Sequence, residues 1–357
     1  MPLLPLHGHG GLRARFDDAI RRDVLPGSLL LHGPAGVGKQ RLALWLGQRL
    51  LCTGAEPRPC GTCQHCRYAL AGNHPDIHWY FPRPRPRDAD STPSRIDDDL
   101  REAVADRIAT GAYAPPPPEE AIFVSTVRAI VRSAAMNPAL GARKIYLIGE
   151  ADRMVVREDA EEAAGAFLKM LEEPSPRATV VLTTAEPGAL IPTIRSRLVA
   201  VRVPPLGDRD VDAVLQEPAM QEAIKEANGP KGLAEQRRLA NGAPGSLLGS
   251  REWSDAIARA QRILDAAGSH DRRKQMKTAL QQGATGSRGA FSTALDALTS
   301  LLHERLKATI ERGHLSAAAS ASRAFDAVEA AKERAAANTN PRLVTSELLR
   351  QLAEHVA

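Results

Sequence analysis

The chain has 357 residues, 43% of them hydrophobic, and carries a formal net charge of +5 at pH 7. This length predicts two or three domains. No apolar run approaches the ~18 residues of a membrane helix, and the first residues lack the basic-then-apolar pattern of a secretory signal. We therefore expect a cytoplasmic protein with no membrane contact. So small a basic excess is compatible with a DNA-associated partner without indicating one.

Residues 1–204 alternate short apolar runs with helical patterns, which is typical of a parallel α/β sheet. We predict five buried strands, at Ser28–His32, Ile77–Phe81, Lys144–Ile148, Thr179–Thr183 and Val199–Val203. A helix follows the first strand, because Leu42, Leu46 and Leu50 recur every four residues and share one face.

Two proline-rich stretches lie at residues 81–86 and 114–118. Proline removes backbone donors and fixes φ, so residues 82–120 are predicted to be a long surface insertion. A short helix around Asp97–Ala109 fits within it.

After Pro204 the strand signals stop, and residues 205–250 and 251–357 are both predicted to be helical. The last helix has a clear start, since Asn340 is a good N-cap and Pro341 suits the first helical position. Four apolar side chains form a stripe along one face of this helix: Leu348, Leu349, Leu352 and Val356.

Residues 33–39 read GPAGVGK and join a predicted strand to a predicted helix. In that context glycines let backbone N–H groups surround phosphate oxygens, and the lysine neutralises the phosphates. The residues expected around phosphate are Gly33, Gly36, Gly38 and Lys39. The next residue departs from the motif, because Gln40 replaces the Ser or Thr whose hydroxyl ligates Mg²⁺.

A second departure concerns the same metal ion. The strand 144–148 should end in an acidic residue, but Gly149 stands there, followed by Glu150. Glu150 can still polarise a water molecule. Two losses at one ion predict that this chain does not hydrolyse ATP. Nucleotide binding without turnover stays open, because Lys39 and the glycines persist.

All four cysteines of the chain fall between residues 52 and 66, with the spacing C-x7-C-x2-C-x2-C: Cys52, Cys60, Cys63 and Cys66. Such clustering in a reducing compartment indicates metal binding rather than disulfides. Four thiolates complete a tetrahedral Zn²⁺ site and leave no position for a substrate, so the role predicted is structural. An iron–sulfur cluster is the alternative. His65 and His74 are spare ligand candidates, interpreted here as surface histidines.

Together these features resemble the delta-prime subunits of the bacterial DNA polymerase III clamp loader and, more distantly, its gamma/tau ATPases. The blocks that carry the resemblance are residues 31–38, Cys52–Cys66, the GNHPD segment at 72–76, FLKMLEEP at 167–174, IRSR at 194–197 and NPRL at 340–343. Leu198 stands where the family's Ser-Arg-Cys motif has cysteine.

The resemblance implies a P-loop AAA+ domain over residues 1–204, a helical lid over 205–250 and a helical collar over 251–357. It also implies that Arg197 reaches into a neighbouring subunit's ATP site, and that Thr184 ends a strand beside this chain's own site. The implied partners are gamma/tau ATPases, a delta subunit and, through the complex, the sliding clamp and primed DNA. Active relatives place an arginine near residues 242–246, where this chain has none.

Two other functions stay open. One is a gamma-like ATPase that hydrolyses its own ATP despite Gln40 and Gly149. The other is a zinc-dependent DNA-binding module, against which the cysteine segment offers only Arg58 and Arg67 as cations, too few to follow a phosphate backbone.

Overall fold

The computed structural model describes residues 3–85, 93–111, 115–117, 120–154, 161–227, 229–269, 271–282, 288–311, 315–336 and 339–354. The chain divides into two compact units, residues 1–248 and 249–357. Within the described ranges, none of the helices combines the length and the apolar character that crossing a bilayer requires.

The first unit is built on a five-stranded sheet in which all paired strands are parallel. The strands are β1 (Ser28–His32), β2 (Ile77–Tyr80), β3 (Lys144–Ile148), β4 (Ala178–Thr184) and β5 (Val199–Arg202), in the spatial order β2-β3-β4-β1-β5. In register, Ser28 of β1 lies opposite Val180 of β4. The predicted α/β class is confirmed, as are the predicted strands to within one residue at each end.

Burial explains why these strands are apolar runs rather than alternating ones. Every residue of β3 and β4 is buried. In β1, Leu29 and Leu31 pack into the core on one face of the sheet, and Leu30 packs into the core on the other. β5 lies at the edge, where most of its residues are exposed.

Helices cover both faces of this sheet. They are α1 (Gly10–Arg21), α2 (Lys39–Leu51), α3 (Gln64–Leu70), α4 (Pro93–Thr110), α5 (Val124–Ala134), α6 (Glu161–Glu172) and the short α7 (Pro192–Arg195), with a 3-10 turn at Ala151–Arg153. In α2, Leu42 and Leu46 are fully buried and Leu50 partly, as predicted.

The insertion is not confined to the surface, which corrects the prediction for residues 82–120. The helix expected at 97–109 is present as the longer α4, and it buries Ala103, Val104 and Ile108 in the core beside β2. Its apolar residues recur at helical spacing, so one face can pack inward. Residues 86–92, 112–114 and 118–119 of the insertion lie outside the described residues.

The rest of the described chain is helical, as predicted. The first unit ends with α8 (Asp208–Leu215), α9 (Pro218–Glu226), α10 (Leu233–Ala240) and a 3-10 segment, Pro244–Gly249. The second unit contains α11 (Ser250–Ala267), α12 (Arg272–Leu280), α13 (Arg288–Glu311), α14 (Leu315–Ala336) and α15 (Pro341–Ala353).

The start of α15 is confirmed. Asn340 accepts a hydrogen bond from the Arg342 N–H at 3.0 Å, and Pro341 occupies the first turn. Three members of the predicted apolar stripe are buried in the core of the second unit: Leu348, Leu349 and Leu352. The fourth, Val356, lies outside the described residues.

Candidate functional site

The glycine-rich segment at residues 33–39, called the phosphate loop below, joins β1 to α2 at the carboxyl edge of the sheet. Gly36 and Gly38 have φ angles of 82° and 90°, in the left-handed region that glycine adopts readily. The Lys39 ammonium donates to the carbonyl oxygens of Gly33 and Pro34, both at 2.8 Å. Burial lowers the pKa of Lys39 to about 8, against the opposing effect of two nearby carboxylates. The lysine ammonium thus forms hydrogen bonds with two backbone carbonyl groups of its own loop.

The two departures from the metal-binding motif lie against each other. A Cβ added to Gly149 would stand 2.5 Å from both Cδ and Oε1 of Gln40, closer than such atoms approach. Gln40 is buried, and its Oε1 accepts a hydrogen bond from Trp79 Nε1 at 2.8 Å. The carboxamide therefore fills the space that any residue larger than glycine would need at position 149.

The phosphate loop also contacts the segment after α10 through its backbone. The Gly245 N–H donates to the Gly36 carbonyl oxygen at 3.0 Å. A Cβ on Gly36 would lie 2.3 Å from the Ser246 nitrogen, and one on Gly245 would lie 2.9 Å from the Gly36 oxygen. The segment at residues 243–246 is thus packed directly on the loop.

Glu150 and Thr184 follow β3 and end β4 at the same edge. Glu150 has a φ of 50°, and its Oε2 is buried without a hydrogen-bond partner, 3.8 Å from Arg153 Nε. Burial raises the pKa of Glu150, although three neighbouring cations favour its ionised form. The Thr184 hydroxyl donates to Asp152 Oδ1 at 2.5 Å. Thr184 is therefore engaged by a carboxylate of its own chain.

The four predicted metal ligands converge. The Sγ atoms of Cys52, Cys60, Cys63 and Cys66 all lie within 4.8 Å of one another. Those of Cys52 and Cys63 are 3.9 Å apart, and tetrahedral coordination with ~2.3 Å bonds requires separations of about 3.8 Å. The Cys60 and Cys63 N–H groups point at neighbouring sulfurs, both at 3.3 Å. These thiols fit one tetrahedral metal ion, and no other such group occurs in the described ranges.

His74 is buried, so the interpretation of it as a surface residue was wrong. Its Nδ1 accepts the Asp76 N–H at 3.0 Å. Neutral His74 therefore carries its proton on Nε2 and donates it to His65 Nδ1, 2.9 Å away. Burial lowers the pKa of His74 to about 4, with a further lowering from His65. The pair connects the cysteine segment to the start of β2.

Asp76 fixes the loop between α5 and β3. Its carboxylate is fully buried and accepts three backbone N–H groups at 2.6, 2.8 and 2.6 Å, those of Ala139, Leu140 and Gly141. Burial alone would raise its pKa, but these three donors outweigh burial and hold the pKa of Asp76 below the ordinary value. Sequence reasoning had noted this residue only as part of the GNHPD segment.

Arg197 lies between α7 and β5. Its Nε is 3.2 Å from Glu172 Oε2, and its Nη1 donates to the Thr193 carbonyl oxygen at 2.9 Å. The side chain keeps 29% of its surface exposed. Arg195, two residues earlier, is exposed and makes a longer bond of 3.4 Å to the Pro187 carbonyl. Arg197 is thus oriented by two acceptors and still accessible from outside.

Several known proteins that resemble this chain are subunits of DNA polymerase III. The family described as DNA polymerase III, delta subunit, matches residues 9–207, more than half of the chain. The chain belongs to this family. This match and the similarity to several delta' subunits together confirm the resemblance to delta-prime subunits.

The subunit delta' of Pseudomonas aeruginosa DNA polymerase III is 34% identical over 176 residues, which cover 49% of this chain and 42% of that protein. The subunit delta' of Bacillus subtilis is 27% identical over 200 residues, covering 56% and 49%. The matched region spans just under half the length of these two relatives. Among solved structures, a DNA polymerase III gamma subunit-related protein of Thermotoga maritima covers 96% of this chain and 99% of its own, with 16% identity and a TM-score of 0.36.

One residue beside Gln40 was not predicted from the sequence. Arg107, on α4, places its guanidinium carbon 3.4 Å from the Phe81 ring centroid and 5.5 Å from that of Trp79. Its Nη1 is 3.5 Å from Gln40 Oε1. The sequence could have indicated this position, because Ala103, Val104 and Ile108 are apolar at helical spacing. They place Arg107 next to the inward face of α4.

Proposed function

We propose that this delta-prime family member is a cytoplasmic clamp-loader subunit that does not hydrolyse ATP and lends Arg197 to a neighbouring subunit's ATP site. The main support is the packing of Gln40 against Gly149. The Gln40 side chain fills the space where the motif would place its metal-binding hydroxyl and its acidic residue. Arg197 stays accessible, and its guanidinium is always charged and can meet phosphate oxygens with a planar fork.

The proposal assigns a role to each part of the chain. Residues 1–204 form an AAA+ domain, 205–250 a lid, and 251–357 a collar that joins gamma/tau ATPases and a delta subunit. ATP binding by those neighbours then shapes the assembly that opens the sliding clamp on primed DNA during replication. The separate compact unit at residues 249–357 and the helices described within 205–248 support this division.

Assembly is tested by co-expressing the full chain with a gamma/tau ATPase and a delta subunit. We expect a stable complex with DNA-stimulated ATPase activity, and background Mg²⁺-dependent hydrolysis by the purified chain alone. Robust turnover by the chain alone, abolished by Lys39→Ala, would instead identify a gamma-like ATPase. Retention of the isolated chain on primed DNA with strong salt dependence would favour a DNA-binding module.

We further propose that the four cysteines hold a structural Zn²⁺ ion. Their thiols fit a tetrahedral site with no open position, and the N–H groups that point at sulfur stabilise thiolates. Bound zinc would stabilise a segment with few apolar side chains.

Metal analysis of the purified chain is expected to show about one zinc per chain. Cys63→Ser should lose the metal and make the segment 52–66 sensitive to protease, because one of four ligands is gone. Thr62→Ala is the matched control, since it alters the same loop but removes no ligand. Iron in place of zinc, or full zinc content in Cys63→Ser, would contradict the assignment.

A further inference from the structure

We propose that the inserted helix α4 supplies the degenerate nucleotide site with a built-in cation, Arg107, where a P-loop ATPase uses a divalent metal ion. This inference concerns the chain's own site. It can be tested on the chain alone, so the result does not depend on the role of Arg197 or on assembly with other subunits.

Arg107 lies beside Gln40, the altered residue of the metal-binding motif. Gln40 stands where the motif has its metal-ligating hydroxyl, and Arg107 Nη1 lies 3.5 Å from the Gln40 Oε1. The same oxygen accepts the Trp79 N–H. The altered residue at position 40 thus presents its carbonyl oxygen toward the arginine, whereas an active enzyme would direct a hydroxyl oxygen to a metal ion.

The Arg107 guanidinium lies over an aromatic surface. Arg107 stacks 3.4 Å from the Phe81 ring centroid and 5.5 Å from that of Trp79. Both rings are buried, so the cation–π attraction acts in a partly desolvated place, where it is stronger than at the surface. Phe81 and Trp79 therefore form a platform that fixes a planar cation beside Gln40.

Helix α4, which carries Arg107, is attached to the core of the first unit. Val104 and Ile108, on either side of Arg107 along the helix, are buried in the same cluster as Trp79 and Phe81. A Cβ on Gly72 would approach Ile108 to 2.6 Å, so the helix packs tightly on the turn after α3. The position of Arg107 is therefore fixed by the packing of α4.

The positive charge of Arg107 acts on Glu150. Glu150 has a buried Oε2 with no hydrogen-bond partner, and the side chain of Arg153 approaches it only to 3.8 Å. Arg107 is among the cations that favour ionised Glu150. A resident arginine supplies positive charge to this carboxylate permanently, and it would repel a divalent cation arriving with nucleotide.

The test restores the motif with and without the arginine in the full chain. The scaffold variant is Gln40→Thr combined with Gly149→Asp, in which the shorter side chain at position 40 makes room at 149. Into it we introduce Arg107→Met, which keeps an apolar stem against Phe81 and removes the charge. Arg101→Ala is the matched control, because Arg101 is an exposed arginine of the same helix.

Mn²⁺ binding, followed by electron paramagnetic resonance, and the affinity for a fluorescent ATP analogue with and without Mg²⁺ are the measurements. We expect at least tenfold tighter Mn²⁺ binding, and Mg²⁺-dependent nucleotide binding, only when Arg107→Met is present. Equal metal binding by the scaffold variant that retains Arg107 would overturn the proposal, as would equal gains from Arg101→Ala.

A second measurement does not need the restored motif. In the otherwise unchanged chain, Arg107→Met should raise the folded-state pKa of Glu150 further, so stability should increase more steeply as pH falls from 7 toward 5. Adding Glu150→Gln should abolish that added slope. Thermal melts of Arg107→Met that follow the wild-type pH profile would overturn the proposal.

Discussion

Arg197→Ala is expected to leave the clamp-loader complex assembled while the ATP site that receives this arginine loses ~10³-fold or more of its hydrolysis rate, the scale found for trans arginines in GTPases. The side chain is oriented by Glu172 and Thr193 but remains accessible, so its removal should cost little folding stability. The measurement is pre-steady-state phosphate release by the complete complex on primed DNA. Loss of one active ATP site should lower the amplitude of the initial burst.

Two variants separate a specific role from loss of surface charge. Arg195→Ala removes an exposed arginine two residues away and should leave the burst intact. Arg197→Lys keeps the charge but not the planar fork, so it should restore only a small part of the rate. An unchanged burst and normal clamp loading in Arg197→Ala would remove the arginine from the proposed mechanism.

Asp76→Ala is expected to lower the free energy of unfolding of the first unit by about 3–5 kcal/mol. The change removes a buried carboxylate that accepts three backbone N–H groups, and a hydrogen bond to a charged group contributes ~1.5–3 kcal/mol. Water can replace part of this loss, because Ala139 and Leu140 are exposed. For a unit of this size, the expected decrease corresponds to a fall in Tm of roughly 10 °C. Differential scanning calorimetry of the full chain measures it.

The pH dependence of this effect has a defined sign. Because the folded-state pKa of Asp76 lies below its ordinary value, its contribution is complete above the unfolded pKa of ~3.9. It is lost as pH falls through the folded pKa. The stability difference between wild type and Asp76→Asn should therefore stay constant from pH 7 to 5 and shrink below about pH 4.

Asp98→Asn serves as the control, because Asp98 is an exposed acid on α4 and its replacement should change stability by less than ~0.5 kcal/mol. A difference of under ~1 kcal/mol for Asp76→Ala would show that the loop finds other acceptors. A difference for Asp76→Asn that persists unchanged at pH 2 would show that hydrogen bonding by the ionised carboxylate is not its source.

The parts of the fold that the sequence predicts are those encoded by neighbouring residues. Buried parallel strands are continuous apolar runs, so β1 and β3 were located at their true ends. The N-cap of α15 is likewise a contact between residues 340 and 342. The four cysteines converge because their short spacing limits how far apart their sulfurs can be.

The contacts that escaped prediction join residues far apart in the chain. Asp76 accepts hydrogen bonds from a loop more than 60 residues away, and Arg107 reaches Gln40 across 67 residues. No local pattern encodes such pairs, because they depend on how α4 and the loop before β3 pack on the sheet. Burial of His74 follows from the same packing, so its polar character alone suggested the wrong location.

The backbone contact between Gly36 and Gly245 changes how the glycine-rich motif of this chain should be understood. A methyl group at either position would force the phosphate loop and the helices after β5 apart. The architecture of the first unit therefore requires these glycines whether or not the loop binds phosphate. Close packing alone is thus sufficient to require glycine at two positions of a sequence that is typical of nucleotide binding.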